Sequence, residues 1–233
     1  MNVYKLDIKV YLLNDIYLNK MQQSIAAAID LALARSIEYL QFHNDIGYKF
    51  YCFNGLYPME QDGLYKEDNI YTFQLRTIDK DLCEYLIKEL RDIITNDIKV
   101  LKCDLKIISK KHIEKIFSIT PLIIKDDKGY WREHMSLKEF EERIKINLIK
   151  KYNKFTGEKI DENFEFYTAI EFKNRKPISV EYKNIKLLGD KLQLTVADDE
   201  VSQRIAYMTL GTGIGENNGR GMGFVNFRWL YAI

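Results

Sequence analysis

Cysteine, proline and histidine each occur only three times in these 233 residues, and each scarcity excludes something. Cys52, Cys83 and Cys103 are odd in number and far apart, with no CxxC pair and no histidine at a ligand interval. Neither a disulfide framework nor a zinc site is expected, and a reducing, cytoplasmic compartment fits better. Three prolines in a chain that is 46% apolar and 30% charged argue for order nearly end to end. No apolar run approaches the roughly 20 residues that cross a bilayer. The opening MNVYKLDIKVYLLND carries charges inside its apolar stretch, so no membrane anchor or secretory signal is evident. Charge of one sign is lacking too: 35 basic and 34 acidic side chains leave +1. Any polyanionic partner must therefore be held by a local patch.

What is present has a clear periodicity. The length suits one large domain or two of roughly 100 residues. Val3 to Leu12 alternates like a half-buried strand. From Asn19 to Phe42, Met21, Ile25, Ile29, Leu33, Ile37 and Leu40 recur at helical spacing and predict one long helix. Tyr48 to Asn54 and Asn69 to Ile78 are aromatic and β-branched, hence strands. Asp79 to Asn96 reads as a helix with aspartate in its first turn, and Ile98 to Ile108 as another strand. The order β-α-β-β-α-β is that of a ferredoxin-like unit.

The second half repeats it. Lys115 to Lys125 reads as a strand, Ser136 to Phe155 as a helix opened by a Ser-x-x-Glu capping box, and Phe164 to Phe172 as a strand. Ser179 to Ala197 is one strand or a hairpin turning near Gly189 and Asp190. A helix starting at the acidic residues Asp198 and Asp199 ends at Gly211, and Gly223 to Ile233 forms the last strand. The expected fold is α+β, two tandem ferredoxin-like (βαββαβ) domains, residues 1–110 and 115–233.

Between that last helix and strand lies TLGTGIGENNGRGMGFVNF, with Gly211, Gly213, Gly215, Gly219, Gly221 and Gly223 inside thirteen residues. A dinucleotide fingerprint needs strand, glycines, helix; here the order is reversed, and no Gly-Lys-Ser/Thr ending is present. What remains is a loop whose backbone can approach a phosphodiester closely and whose N–H groups form an anion nest. The alternative is that the glycines serve only a cap, a turn and a bulge.

This loop resembles that of the CRISPR repeat-RNA processing endoribonucleases of the RAMP superfamily. Its pattern Gly-x-Gly-x-x-x-x-x-Gly-x-Gly falls on Gly213, Gly215, Gly221 and Gly223. The resemblance implies metal-independent cleavage within CRISPR repeat RNA, without a small-molecule cofactor, by attack of a ribose 2′-hydroxyl on the adjacent phosphate. It implies 5′-hydroxyl and 2′,3′-cyclic phosphate ends, and a guide RNA passed to a multi-subunit interference complex. A non-catalytic RNA-binding subunit of the same superfamily is the competing reading; an unrelated small-molecule-binding protein is a third.

The chemistry needs a proton acceptor, a proton donor and a cation for the phosphorane. Of the three histidines, His43 falls at the end of the long first helix, where the dipole favours imidazolium, and Lys49 follows six residues later. The resemblance places the catalytic histidine and a following lysine there. Tyr39 and Ser36 share the helical face of His43, and Tyr39 is the expected third catalytic member. His112 sits in the charged linker SKKHIEK, where a plain surface role is favoured. His134 follows Tyr130, Trp131 and Arg132, which either stack on an unpaired base or pack on the core. Basic clusters occur at Lys110 to Lys115, at Lys145, Lys150, Lys151 and Lys154, and at Lys173 to Lys176, where Arg175 at a hairpin tip is a candidate RNA contact. Arg220 inside the glycine loop is the stronger one.

Overall fold

The computed structural model describes residues 1–182 and 185–230. Lys183 and Asn184, within the expected Ser179 to Ala197 segment, and residues 231–233 of the expected last strand lie outside the described residues.

Alternation makes Val3–Leu12 (β1) a strand, with Leu6, Ile8, Val10 and Leu12 fully buried on one face. It is the second-to-last member of a sheet with Tyr51–Phe53 (β3), Ile70–Thr77 (β5) and Ile98–Ile108 (β6), in the order β3-β5-β1-β6. All pairings are antiparallel, with Leu6 opposite Leu75 on one side and Leu105 on the other. Ile16–Tyr17 (β2) and Leu64–Tyr65 (β4) pair separately as a short ribbon. Leu18–Leu33 (α1) and Lys80–Leu90 (α3) cover the sheet, burying Met21, Ile25, Ile29, Leu33, Leu82, Leu86 and Leu90.

The second sheet contains Ile113–Ser118 (β7), Tyr167–Phe172 (β8), Leu192–Val196 (β11) and Val225–Trp229 (β12) in the order β12-β7-β11-β8. It is covered by Leu137–Thr156 (α4) and Glu200–Thr212 (α5). Each sheet reads fourth, first, third, second, the antiparallel order of a ferredoxin-like unit. The Ser136–Glu139 capping box forms as the sequence predicts.

Several boundaries differ. The helix expected from Asn19 to Phe42 is broken: α1 stops at Leu33, Ser36 is extended, and Ile37–Asn44 forms a separate helix, α2. At the break Arg35 reaches across to the C-terminal end of α3, donating to Glu89 O at 3.2 Å and, just past the helix, to Asp92 O at 3.3 Å. A cation on a helix C-terminus is a favourable placement, and the apolar spacing runs on across the break unaltered. Tyr48 to Asn54 shortens to β3, because Phe50 lies at φ 50°, and α3 ends at Leu90 rather than Asn96. The strand expected to reach Lys125 ends at Ser118. The hairpin does not turn at Gly189–Asp190: Ile178–Tyr182 (β9) pairs with Ile185–Gly189 (β10), Glu181 opposite Lys186. Gly189 and Asp190 instead carry the chain to β11. Asp190 has no exposed surface and accepts from Tyr130, Trp131, Arg132 and Asn174 at 2.6 to 2.8 Å. Four donors compensate the desolvated carboxylate. They also decide the aromatic cluster beside His134 in favour of packing, since Tyr130 and Trp131 are buried.

Buried contacts join the halves. Arg76 on β5 donates to Val225 O and Asn226 Oδ1 and lies 4.3 Å from the Phe224 ring. Tyr207 on α5 donates to Ile108 O at 2.6 Å and accepts from Val3 N at 3.2 Å. Val3, Ile78 and Ile108 pack in the core of the second half. Gly211 does not end its helix; it lies inside α5, where a Cβ would stand 2.7 Å from Ile78 Cγ2.

Candidate active site

A cleft of roughly 530 Å³ opens between the halves. One wall is the segment from His43 to Tyr51, the other is α4 together with the glycine loop.

The break in the first helix creates half of this site. In one continuous helix Asp30 and His43 would stand about 20 Å apart at 1.5 Å per residue. With α2 folded back, His43 Nδ1 lies 3.3 Å from Asp30 Oδ1. His43 falls in the last turn of α2 as expected. Lys49 closes over the same helix end, its ammonium donating to Phe42 O and, at 2.7 Å, to Asp45 O. Burial pushes the Lys49 amine below its ordinary value; Asp45 opposes the shift, while Arg220 and Lys154 add to it. A cation thus stands at the C-terminus of α2, where the dipole favours it.

Tyr39 is not brought here. Its ring stacks on Tyr85 of α3 with centroids 4.0 Å apart, packed against the first core. The phenols that line the cleft are Tyr48 and Tyr51. Both belong to a segment the sequence reads as a plain strand. Ser36 is likewise absent from the cleft walls; it stands at the first position before α2, its side chain making no capping hydrogen bond.

The glycine loop forms the opposite side, and most of its glycines face inward. Gly213, Gly221 and Gly223 are buried at positive φ. A Cβ on Gly223 would collide with Ile214 O, and one on Gly221 with the Gln22 amide. Their N–H groups are taken by Thr209 O, Asn218 O and Pro121 O. The expectation that these residues offer an anion nest therefore fails at these positions: their N–H groups are already bonded within the protein. Gly215, also buried, borders the cleft and packs on Ile123 O. Gly219 and Arg220 are the members turned to the opening. Gly219 stands where a Cβ would come 3.2 Å from Tyr51 Oη and 3.3 Å from Lys49 Cγ. Tyr51 donates to Gly219 O at 3.4 Å. Arg220 donates to Asp30 Oδ2 at 2.8 Å.

Beneath the loop is Lys151, which the sequence groups with surface lysines. The structure buries it, with its ammonium donating to Gly213 O, Gly215 O and Asn218 Oδ1 at 2.7 to 3.1 Å. Burial pushes it down to about 7, against Cys52 and Glu216. Asn218 in turn donates to Ile214 O and Met222 O, so one lysine and one asparagine fix the loop from inside. Asn147 and Lys154, one turn to either side on α4, line the cleft. The spacing 147, 151, 154 marks one helical face, a signal the sequence carried.

The remaining candidates lie elsewhere. Arg175 is exposed on the β8–β9 connection. His112 is half-buried, 3.0 Å from Asp198. His134 Nε2 lies 3.4 Å from Asp126. Among the described residues no helix is long and apolar enough to cross a membrane.

A family model described as CRISPR associated protein Cas6, C-terminal, matches residues 102–227, more than half of the chain. The chain belongs to the Cas6 family. It is 20% identical over 227 residues to the CRISPR-associated endoribonuclease Cas6 2 of Methanocaldococcus jannaschii, covering 91% of this chain and 94% of that one. Two solved structures superpose with TM-score 0.73 over 97% of this chain and 99% of theirs: a CRISPR associated protein Cas6 at 22% identity, and an RAMP protein binding different RNA substrates at 17%. These likenesses extend over both halves and show the tandem ferredoxin-like Cas6 fold.

Proposed function

We propose that the protein is a CRISPR repeat-RNA endoribonuclease that cleaves without a metal ion. The observation that carries the reading is the meeting of His43 and Lys49 from the first half with Gly219 and Arg220 from the second in one cleft. The endoribonuclease relative supports the substrate class. In the proposed step the ribose 2′-oxygen forms a bond to the adjacent phosphorus and the bond to the 5′-oxygen breaks. His43 gives its proton to that leaving oxygen, the 2′-hydroxyl proton passes to solvent, and Lys49 with Arg220 offsets the phosphorane charge. The products are a 5′-hydroxyl and a 2′,3′-cyclic phosphate. The cleaved guide RNA then passes to an interference complex.

The RNA contacts proposed are Gly219, Arg220 and the rim at Gly215, with Arg175 reaching a more distant part of the repeat. Gly211, Gly213, Gly221 and Gly223 shape the loop and are withdrawn as contacts; Tyr39 is withdrawn as a catalytic member.

Incubating labelled repeat RNA with the protein in excess chelator, beside His43→Ala, tests this. Chelator-resistant cleavage that His43→Ala abolishes is expected. Cleavage that survives in His43→Ala removes this site, and tight binding without cleavage of any repeat makes the protein a guide-RNA-holding subunit.

A further inference from the structure

Asp30 is the acidic side chain that touches both halves of the cleft. It stands near the end of α1, half-buried, with one oxygen 2.8 Å from Arg220 and the other 3.3 Å from His43 Nδ1. The oxygen facing His43 is buried and accepts no hydrogen bond of ordinary geometry. A buried carboxylate oxygen is costly unless a cation or donor faces it, and an imidazole whose Nδ1 proton is held by a carboxylate keeps Nε2 for a substrate. Arg220 on the second oxygen fixes the carboxylate from the glycine loop.

We propose that Asp30 is a positioning residue for the cleavage step: its carboxylate, facing Nδ1 of His43, is the counter-charge that keeps the imidazolium charged and its Nε2 proton available to the leaving 5′-oxygen. The proposal rests on reading His43 as the proton donor. In the balanced step the Nε2 proton moves to O5′ as the P–O5′ bond breaks, while the Nδ1 proton stays on His43, beside the Asp30 carboxylate. The charged groups that share the cleft with His43 are Asp45, Lys49, Lys125, Lys151, Lys154, Glu216 and Arg220. Five of the seven are basic and disfavour imidazolium, and the Asp30 carboxylate against the ring opposes them.

The experiment is single-turnover cleavage of labelled repeat RNA across about pH 5 to 9, where histidine titrates, with Asp30→Asn, Asp30→Glu and His43→Ala. An NMR titration of the His43 ring, assigned by its loss in His43→Ala, runs alongside. Expected for Asp30→Asn is a fall of roughly 10- to 100-fold in rate near neutrality. The alkaline limb of the profile and the His43 midpoint both move to lower pH, and RNA affinity is retained. Asp30→Glu recovers part of the rate and of the midpoint. An unmoved midpoint in Asp30→Asn overturns the proposal whether or not the variant cleaves. A uniform rate loss with an unshifted limb reduces Asp30 to a structural role. If His43→Ala is inactive while Asp30→Asn matches the parent, the assignment of Asp30 fails alone; if His43→Ala cleaves normally, the proton-donor reading fails with it.

Discussion

The Lys151 ammonium donates to Asn218 Oδ1 across 2.7 Å, inside the protein and directly beneath the glycine loop. This contact joins a lysine on α4 to the residue whose amide bridges both ends of the loop, so the loop's shape depends on a buried lysine. Removing it as Lys151→Met leaves three acceptors without their donor, each costing about 1–3 kcal/mol, partly offset by the desolvation no longer incurred. A net loss of about 2–4 kcal/mol near pH 7 is expected in urea unfolding. The folded-state value of about 7 lies below the ordinary 10.5, so the folded state releases this proton first. Stability of the parent relative to Lys151→Met therefore rises as pH climbs from about 7 towards 10, and stays flat below that window. A difference that falls with pH would refute this account.

Two glycines of the same loop are expected to separate. Gly223→Ala drives a methyl into Ile214 O at φ 64° and should cost at least about 3 kcal/mol, lowering the melting temperature sharply. Gly219→Ala meets only Tyr51 and Lys49 side chains at 3.2–3.3 Å. It should change stability by less than about 1 kcal/mol and weaken RNA binding severalfold, because the methyl narrows the opening. Equal melting temperatures for the two variants would contradict the division between loop-shaping and cleft-facing glycines.

Lys49→Ala should lower single-turnover cleavage by about 100-fold, the scale of losing one transition-state charge stabiliser. If Lys49 touches phosphate, the slope of log affinity against log salt falls by about one contact's worth. An unchanged rate would exclude it from the chemistry.

Tyr39→Phe keeps the stack on Tyr85 and removes a hydroxyl that lies away from the cleft. Cleavage should stay within about twofold of the parent, less than 0.5 kcal/mol in barrier. A loss comparable to that of His43→Ala would restore Tyr39 to the site.

Asp190→Ala strands four donors, the buried Tyr130 and Trp131 among them, around a vacated carboxylate. A destabilisation of about 3–5 kcal/mol is expected, with cleavage per folded molecule preserved, as a stability curve paired with an activity assay on the folded fraction would show.

Much of this was legible in the residues. Strand alternation in Val3 to Leu12 and helical spacing in α3 and α4 follow from burying one face, and the capping box at Ser136 is purely local. His43, Lys49 and Arg220 were legible as charged groups near helix ends and turns. What escaped is non-local. The first helix breaks where Arg35 binds carbonyls about 55 residues away, a contact no period reveals. Asp30 carried no signal in the sequence because its partners arrive only through that break and through the second half. Lys151 looked like one more surface lysine, since the acceptors that make its burial tolerable lie in the glycine loop. The glycines were legible as unusual but not as inward-facing: six seemed more than internal packing needs until the loop was seen to fold upon itself.

The divided cleft has a consequence for how the protein is made. Arg220 leaves the ribosome roughly 180 residues after His43, about 10–35 s at typical elongation rates of 5–20 residues per second. During that interval the nascent chain carries His43 and Lys49 without the glycine loop that faces them. On the proposed reading, a copy truncated before that loop is expected to cleave no repeat RNA.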